Sequence, residues 1–284
     1  MIVASTVAEL RREIAAARRA GKRIGFVPTM GNLHAGHLKL VEVARRHADV
    51  IVASIYVNPM QFGPTEDFAA YPRTPEQDHH ALRALGTDLL FMPSTEEMYP
   101  RGMTAQTFVE VPALGEVLCG RFRPGHFRGV TTVVNHLFNM VQPDVAVFGK
   151  KDYQQLMLIR LMVSDLGMPI EIIGVDTVRE NDGLAMSSRN NYLTPTERNA
   201  AVALYATLLK LRDELLRDRS GLDKLSELGM QQLQQRGFRP DYVAVVRQRD
   251  LAPAGATDAE LAILAAAWLG RTRLIDNIEL TLGH

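Results

Sequence analysis

Two histidines three residues apart, His34 and His37, stand in the run Pro28-Thr29-Met30-Gly31-Asn32-Leu33-His34-Ala35-Gly36-His37. The run falls between an apolar β-prone stretch, Ile24–Val27, and a helical pattern over Leu38–His47. At a strand-to-helix junction the first helical turn leaves backbone N–H groups unpaired and carries partial positive charge, which makes it a seat for phosphate. Gly31 and Gly36 let backbone approach a ligand closely. Imidazole N–H groups at the helix entry can then stabilise charge developing on a transferring phosphoryl group. A His-x-x-His pair alone suits a helix cap or a metal equally well. The preceding strand, the two glycines and the ligand edge of a parallel sheet favour the phosphate.

A second candidate is Met186-Ser187-Ser188-Arg189, which follows the β-prone stretch Ile170–Val178 and the turn Asn181-Asp182-Gly183. Two hydroxyls, consecutive amides and a guanidinium can hold a polyphosphate, although such a loop is more often merely solvated. Other conspicuous residues read as ordinary. His79 and His80 are adjacent in a polar helix and cannot share one of its faces. Cys119 is the only cysteine, so no intrachain disulfide forms, and without a helix start or basic partner it reads as buried or incidental. Trp268 lies in an apolar run and is expected in the core.

These residues need a scaffold. Thr6 and Glu9 form the pattern of a capping box, and Gly21 can end the helix they start. Strands are expected at Ile24–Val27, Val50–Val57, Leu89–Met92, Val145–Phe148 and Ile170–Val175, with helices such as Leu38–His47 and Pro75–Leu85 between them. Apolar β-runs alternating with helices predict a doubly wound, Rossmann-like α/β domain with a parallel sheet, over residues 1–180. Thr194, Pro195 and Glu197 start a helix whose stripe is Leu204, Leu208, Leu211 and Leu215. A helix over Leu222–Gln235 ends at Gly237, and β-runs follow at Tyr242–Val246 and Leu261–Leu269. Residues 181–284 are therefore expected to form a smaller C-terminal α+β domain that closes over the site.

The 284 residues are 46% hydrophobic and 23% charged, with 32 basic residues balancing 32 acidic ones. That balance argues against a dedicated nucleic-acid binder. No apolar run reaches the roughly 18 residues that would span a bilayer, and the N-terminus does not read as a signal peptide, so a cytoplasmic protein without membrane association is expected.

The two loops together resemble the paired signatures of the nucleotidyltransferase superfamily. The segments between them narrow the match: Asn58-Pro59-Met60-Gln61-Phe62, Tyr71-Pro72-Arg73-Thr74, Arg123-Pro124-Gly125-His126-Phe127-Arg128-Gly129-Val130, Gln142-Pro143-Asp144, Gly149-Lys150-Lys151-Asp152-Tyr153-Gln154-Gln155-Leu156 and Asp182–Asn190. In this order they resemble the pantothenate synthetase family from about Ile24 to Thr194. The likeness is weaker at Ala265–Gly270 and Arg273-Leu274-Ile275-Asp276-Asn277.

The resemblance implies an ATP-dependent ligase that makes pantoyl adenylate and transfers the acyl group to β-alanine. It implies that Met30, Gly31, Asn32, Leu33, His34, Ala35, Gly36 and His37 hold ATP, with His37 catalytic and His34 beside it. Gln61 and Gln155 would bind pantoate, and Gln61 β-alanine too. Gly149, Lys150, Lys151 and Asp152 would complete the nucleotide site, Lys151 supplying a mobile charge and Asp152 taking a ribose hydroxyl. Val178 would lie against adenine, and Met186, Ser187, Ser188 and Arg189 would close over the phosphates. Mg²⁺ would accompany ATP, with Asp78 as its acidic contact, and the protein would be a homodimer. Lys150 departs from the family, where an acidic residue is usual, and adds charge beside the phosphate site. The alternatives are another adenylyl-transferring enzyme of the superfamily and a non-catalytic nucleotide-binding module.

Overall fold

Short apolar strands that pair in parallel need helices on both faces, and the first two thirds of the chain supply them. The computed structural model describes residues 1–64, 66–218, 221–255 and 257–282. Strands β1 (Ile2–Ala4), β2 (Ile24–Thr29), β3 (Val50–Ile55), β4 (Leu89–Phe91), β5 (Val145–Gly149) and β6 (Glu171–Val175) form one sheet in the order β1-β4-β3-β2-β5-β6. Every pairing in it is parallel. The helices are α1 (Val7–Arg19), α2 (Ala35–Ala44), α3 (Pro75–Ala84), α4 (Thr95–Met98), α5 (Cys119–Phe122), α6 (His126–Val141) and α7 (Tyr153–Asp165).

Alternation along β2 shows how the two faces are covered. Val27 points into an aliphatic cluster with Leu40 and Val41 of α2 and Leu82 of α3. Its neighbour Phe26 points the other way and meets Phe138 of α6 edge-on at 6.4 Å, and Phe138 meets Phe148 of β5 in the same manner. Asp144 ties the lower end of this layer. It accepts the Ile24 N–H at 2.6 Å and two bonds of 2.7 Å from Arg18. Burial works against that charge, yet Arg18 and the Ile24 amide hold the carboxyl below its usual range.

The chain divides into two compact units, Met1–Lys150 with Gln155–Asp176, and Lys151–Gln154 with Thr177–His284. The second contains α8 (Pro195–Ala201), α9 (Ala203–Arg217), α10 (Leu222–Gln235) and an antiparallel sheet, β7 (Arg239–Arg247), β8 (Glu260–Leu269) and β9 (Thr272–Thr281), in the order β7-β8-β9. Leu204, Leu208, Leu211 and Leu215 of α9 are buried with Ile263, Ala265 and Ala267 of β8. None of the described helices is long and apolar enough to cross a membrane.

The capping boxes at Thr6 and Thr194 form as expected. The helix expected from Thr194 onward is instead two, α8 and α9, separated at Val202. Trp268 is only half-buried, with the Arg239 guanidinium 5.4 Å from its ring centre, so it is a partner for a cation rather than core. Cys119 is buried and, against expectation, opens a short helix.

One contact joins the layers to the loop after β3. A Cβ built on Gly129 of α6 would collide with the Met60 carbonyl oxygen and lie 2.8 Å from the Gln61 Cα. Backbone cannot yield there without moving the Asn58–Gln61 turn. Gly129→Ala should therefore destabilise the protein by about 1–3 kcal/mol, as overpacking does, even though alanine is the better helix former. Urea denaturation checks this; an unchanged midpoint would mean the turn is free to shift.

Candidate active site

The strand order places a topological switch point between β2 and β5, since the chain runs outward from β2 through β3 on one side and from β5 to β6 on the other. Ligands of open parallel sheets sit outside the strand C-termini at such a point. The His34–His37 loop follows β2, the Gln61 turn follows β3, and Gly149–Lys150 ends β5.

The loop after β2 is bent by two residues in the left-handed region, Gly31 at φ +82° and Asn32 at φ +50°. Its amides turn inward to one acceptor. Asp78, 2% exposed in the first turn of α3, accepts the Asn32 N–H on Oδ2 and the Leu33 N–H on Oδ1, each at 2.8 Å. Thr74 Oγ1 donates to Oδ1 at 3.1 Å. Side chains at Gly31 would meet Asp78 Oδ2 and Ile55 Cγ2 at 3.0 Å, so this position needs glycine for space as well as for φ. Asp78 thus takes a different place from the metal contact expected of it: both carboxylate oxygens are spent on shaping the loop. Among the described residues no group of three or more His, Cys, Asp or Glu side chains gathers where it could hold a metal ion.

The loop ends at His34, the N-cap of α2. Its Nδ1 accepts the Gly36 N–H at 3.1 Å, and the His34 N–H points at Nδ1 of His37 at 3.4 Å, so the two form a reciprocal capping box. Their rings lie with centroids 4.1 Å apart. A backbone N–H can only donate, so both Nδ1 atoms act as acceptors and each neutral ring carries its proton on Nε2. The capping and phosphate readings of the histidines are therefore compatible: one nitrogen of each ring caps and the other is a donor.

Beside the loop lies a fixed amide. Asn58 is 1% exposed; its Oδ1 accepts from Met60 N at 3.3 Å and from Tyr99 OH at 2.8 Å, and its Nδ2 donates to the Gly129 carbonyl at 3.1 Å. Two backbone groups of opposite character thereby settle which end of Asn58 is which. Its Nδ2 also reaches Gln61 Oε1 at 3.3 Å, which leaves Gln61 Nε2 as the outward end, 2.9 Å from the Met30 sulfur. Burial pushes the Tyr99 phenol up, so it remains a donor across the working pH range. Sequence reasoning quoted Asn58 only as part of a matching segment and did not single out Tyr99. Asparagine before proline at a strand end was the available signal for Asn58; nothing in the sequence pairs Tyr99 with it.

Gln155 is half-buried in the first turns of α7, and Lys150 places its ammonium 2.8 Å from Asp176, so the charge that departs from the family pattern has a carboxylate at hand. In the second unit Lys151 is 3.8 Å from Asp152, and its carbonyl accepts from Asn277 Nδ2 at 3.0 Å. There Val178–Met186 folds back on itself through the Arg179–Ala185 bridge, and Ser187 Oγ caps the turn Ser188–Tyr192 by accepting the Arg189 N–H at 3.3 Å. Arg179 anchors this hairpin: its guanidinium makes paired bonds of 2.7 and 2.8 Å to Asp276 and stacks 3.5 Å from the Tyr205 ring.

A parallel sheet with a glycine-bent loop and helix start at its switch point defines a class, the α/β proteins built to receive a phosphorylated ligand. The family described as pantoate–beta-alanine ligase matches residues 2–279, so the chain belongs to that family and is a ligase. It is 58% identical to a pantothenate synthetase of Pseudomonas putida over 99% of this chain and 98% of that one. Its fold matches the crystal structure of pantothenate synthetase from Thermus thermophilus with a TM-score of 0.90 at 49% identity, over 98% and 99% of the two chains. The pantoate–beta-alanine ligase of Francisella tularensis, solved in complex with beta-gamma ATP and beta-alanine, matches at 34% identity and a TM-score of 0.78, over 98% and 97%.

The role of Asp78 can be tested directly. Asp78→Asn swaps one acceptor oxygen for a donor that must face the Asn32 or the Leu33 amide. The fold should lose about 1–3 kcal/mol, the cost of an unpaired buried group. A direct metal contact would instead leave stability unchanged and raise the Mg²⁺ concentration needed for half-maximal activity.

Proposed function

We propose that this chain joins pantoate to β-alanine in two steps on ATP, and that the donor face of the His34–His37 helix entry carries the first. A pantoate carboxylate oxygen attacks the α-phosphorus, the bond to the bridging oxygen breaks, and pyrophosphate leaves with its magnesium. The amine of β-alanine then attacks the acyl carbon of the adenylate, AMP departs and the amine gives up its proton. The observation that supports this most is the imidazole pair whose Nδ1 atoms are both held as acceptors, so that two Nε2–H donors remain for the phosphate chain. Donors fixed before the reaction need no reorganisation as charge builds on the leaving group. His37 is the residue to which we give this role, with His34 beside it.

Magnesium enters as part of the nucleotide substrate. This ion keeps several waters and bonds mainly to phosphate oxygens, which agrees with Asp78 being committed to the loop. Met30–His37 and Gly149–Asp152 are assigned to ATP, with Asp152 on the ribose, Val178 on adenine and Lys151 and Arg189 on the phosphates. Gln61 and Gln155 are assigned to pantoate, and Gln61 also to β-alanine. Gln155 has room to turn either end of its amide to a hydroxyl, whereas Gln61 is fixed as a donor and suits a carboxylate oxygen. By its resemblance to the family the protein acts as a homodimer in the cytoplasm.

The deciding experiment is ATP–pyrophosphate exchange. Exchange should require pantoate, proceed without β-alanine, and fall on the order of 10²–10³ in His37→Ala, the usual cost of removing one transition-state donor. Exchange driven by another carboxylic acid would point to a different adenylyl transfer, and none at all to a binding module.

Arg189 should separate the half-reactions. A guanidinium grips phosphate bidentately and an ammonium only as a point charge, so Arg189→Lys should keep part of the adenylation rate and Arg189→Ala very little. The second step involves no pyrophosphate. Given presynthesised pantoyl adenylate and β-alanine, both variants should form pantothenate at nearly the normal rate; an equal loss in both steps would remove Arg189 from the pyrophosphate.

A further inference from the structure

Gln61 is held by its backbone as well as by its side chain. The Nδ1 of His126, the first residue of α6, lies 2.7 Å from the Gln61 carbonyl oxygen. A carbonyl only accepts, so Nδ1 bears the proton and Nε2 offers a lone pair. Arg123 NH1 donates to that lone pair at 2.9 Å, and NH2 reaches the same carbonyl at 3.4 Å. The other edge of the guanidinium closes on Glu66 with two bonds, Nε to Oε1 at 2.7 Å and NH2 to Oε2 at 2.6 Å. Arg123 and Glu66 are mostly withdrawn from water, their side chains 15% and 21% exposed. Every role in the chain thus runs one way, from Glu66 through Arg123 and His126 to Gln61.

The same helix face carries a second grip. His126 and Gly129 are three residues apart on α6 and so neighbours on its surface. His126 takes the Gln61 carbonyl while bare backbone at Gly129 receives the Met60 carbonyl and, through its own carbonyl, the Asn58 amide. Gly125, at φ +79°, starts the helix abruptly enough to put His126 at its very first position. Apolar packing could have held this turn more cheaply than a half-buried ion pair, because charges withdrawn from water cost stability unless fully paired. What the polar chain adds is direction: a ring with a defined partner on each nitrogen has one orientation and one tautomer.

We propose that Glu66, Arg123 and His126 form a positioning relay for Gln61, fixing the backbone point from which its amide donates to pantoate. The inference rests on the assignment of Gln61 to the substrate. Asn58 fixes which end of the Gln61 amide faces outward; His126 fixes where that end sits. None of the three relay residues touches the reacting atoms. A displacement of about 1 Å in a substrate-positioning group is enough to cost a large factor in rate.

The test is a steady-state comparison of Gln61→Ala, His126→Ala, His126→Asn, Glu66→Gln and the double variant Gln61→Ala/His126→Ala, each checked for an intact fold by its thermal midpoint. His126→Ala should raise the KM for pantoate roughly tenfold, the worth of one net hydrogen bond, and leave the KM for ATP within about twofold. Asparagine can place its Nδ2 where the imidazole Nδ1 was, so His126→Asn should recover most of the loss, and Glu66→Gln should fall between the two. In the Gln61→Ala background the His126→Ala effect should vanish, because a positioning residue has nothing left to position. A merely structural His126 would raise both KM values together and gain nothing from asparagine, which overturns the relay. Additive effects in the double variant overturn it as well, since His126 would then act on substrate by itself. If Gln61→Ala leaves the pantoate KM unchanged, the substrate assignment of Gln61 fails and the relay with it. If Gln61→Ala raises that KM and His126→Ala does not, only the relay fails.

Discussion

A single buried carboxylate sets the shape on which the site depends. Asp78 reaches back from α3 and accepts the amides of Asn32 and Leu33, 46 and 45 residues earlier in the chain. Those amides point inward only because Gly31 and Asn32 both adopt positive φ, a conformation that costs an ordinary residue on the order of 1 kcal/mol and needs something to hold it. A charge 2% exposed would itself be costly without donors. Loop and carboxylate therefore satisfy each other. Once the loop is turned, His34 arrives at the cap of α2 in extended conformation and the helix starts with its amides open to the strand ends. The placement of α3 against α2, which looks like ordinary α/β packing, is thus also the placement of the phosphate seat.

Polarity is the second constraint, and backbone groups impose it. Amides fix Nδ1 of His34 and His37 as acceptors, and the Met60 amide with the Gly129 carbonyl fixes both ends of Asn58. Asn58 then fixes Gln61. The outward ends that result are all donors: two imidazole Nε2 positions and one amide nitrogen. A triphosphate and a carboxylate offer only acceptors, so the face is complementary before either arrives. Had the amide of Asn58 been reversed, Gln61 would present its oxygen to an anion, and no change of residue type would betray the fault in the sequence.

How much of this could be read beforehand varied with how local its cause is. The Thr6 and Thr194 capping boxes, the end of α10 before Gly237 and the five apolar strands from β2 to β6 follow from patterns within a few residues, and they formed. The helix α6 passed unread because its first turn, Arg123–Val130, matched a family segment and carried no capping side chain; a glycine at φ +79° starts it instead. The strand β9 was missed because Arg273, Asp276, Asn277 and Glu279 interrupt its apolar alternation, and Asp276 and Asn277 are buried for reasons that lie elsewhere in the chain. The metal role expected of Asp78 failed for a like reason, since its partners are backbone amides with no sequence signature.

Those two buried polar residues of β9 explain the weak likeness to the family at Arg273–Asn277. Asp276 is 3% exposed and binds Arg179 through both oxygens, which fastens the hairpin that leads into Ser187, Ser188 and Arg189. Its neighbour Asn277 donates to the Lys151 carbonyl and so fastens the turn that carries Lys151 and Asp152. Adjacent residues of a strand point to opposite faces, so one short stretch of β9 can hold two loops at once. A buried ion pair is weak evidence of stability but a strong constraint on geometry, since losing either partner strands a charge. In the second unit, then, the residues that matter to the phosphate-binding segments are not the segments alone. They include a strand position more than 80 residues further along, where an aspartate and an asparagine replace the apolar residues that the core would otherwise take.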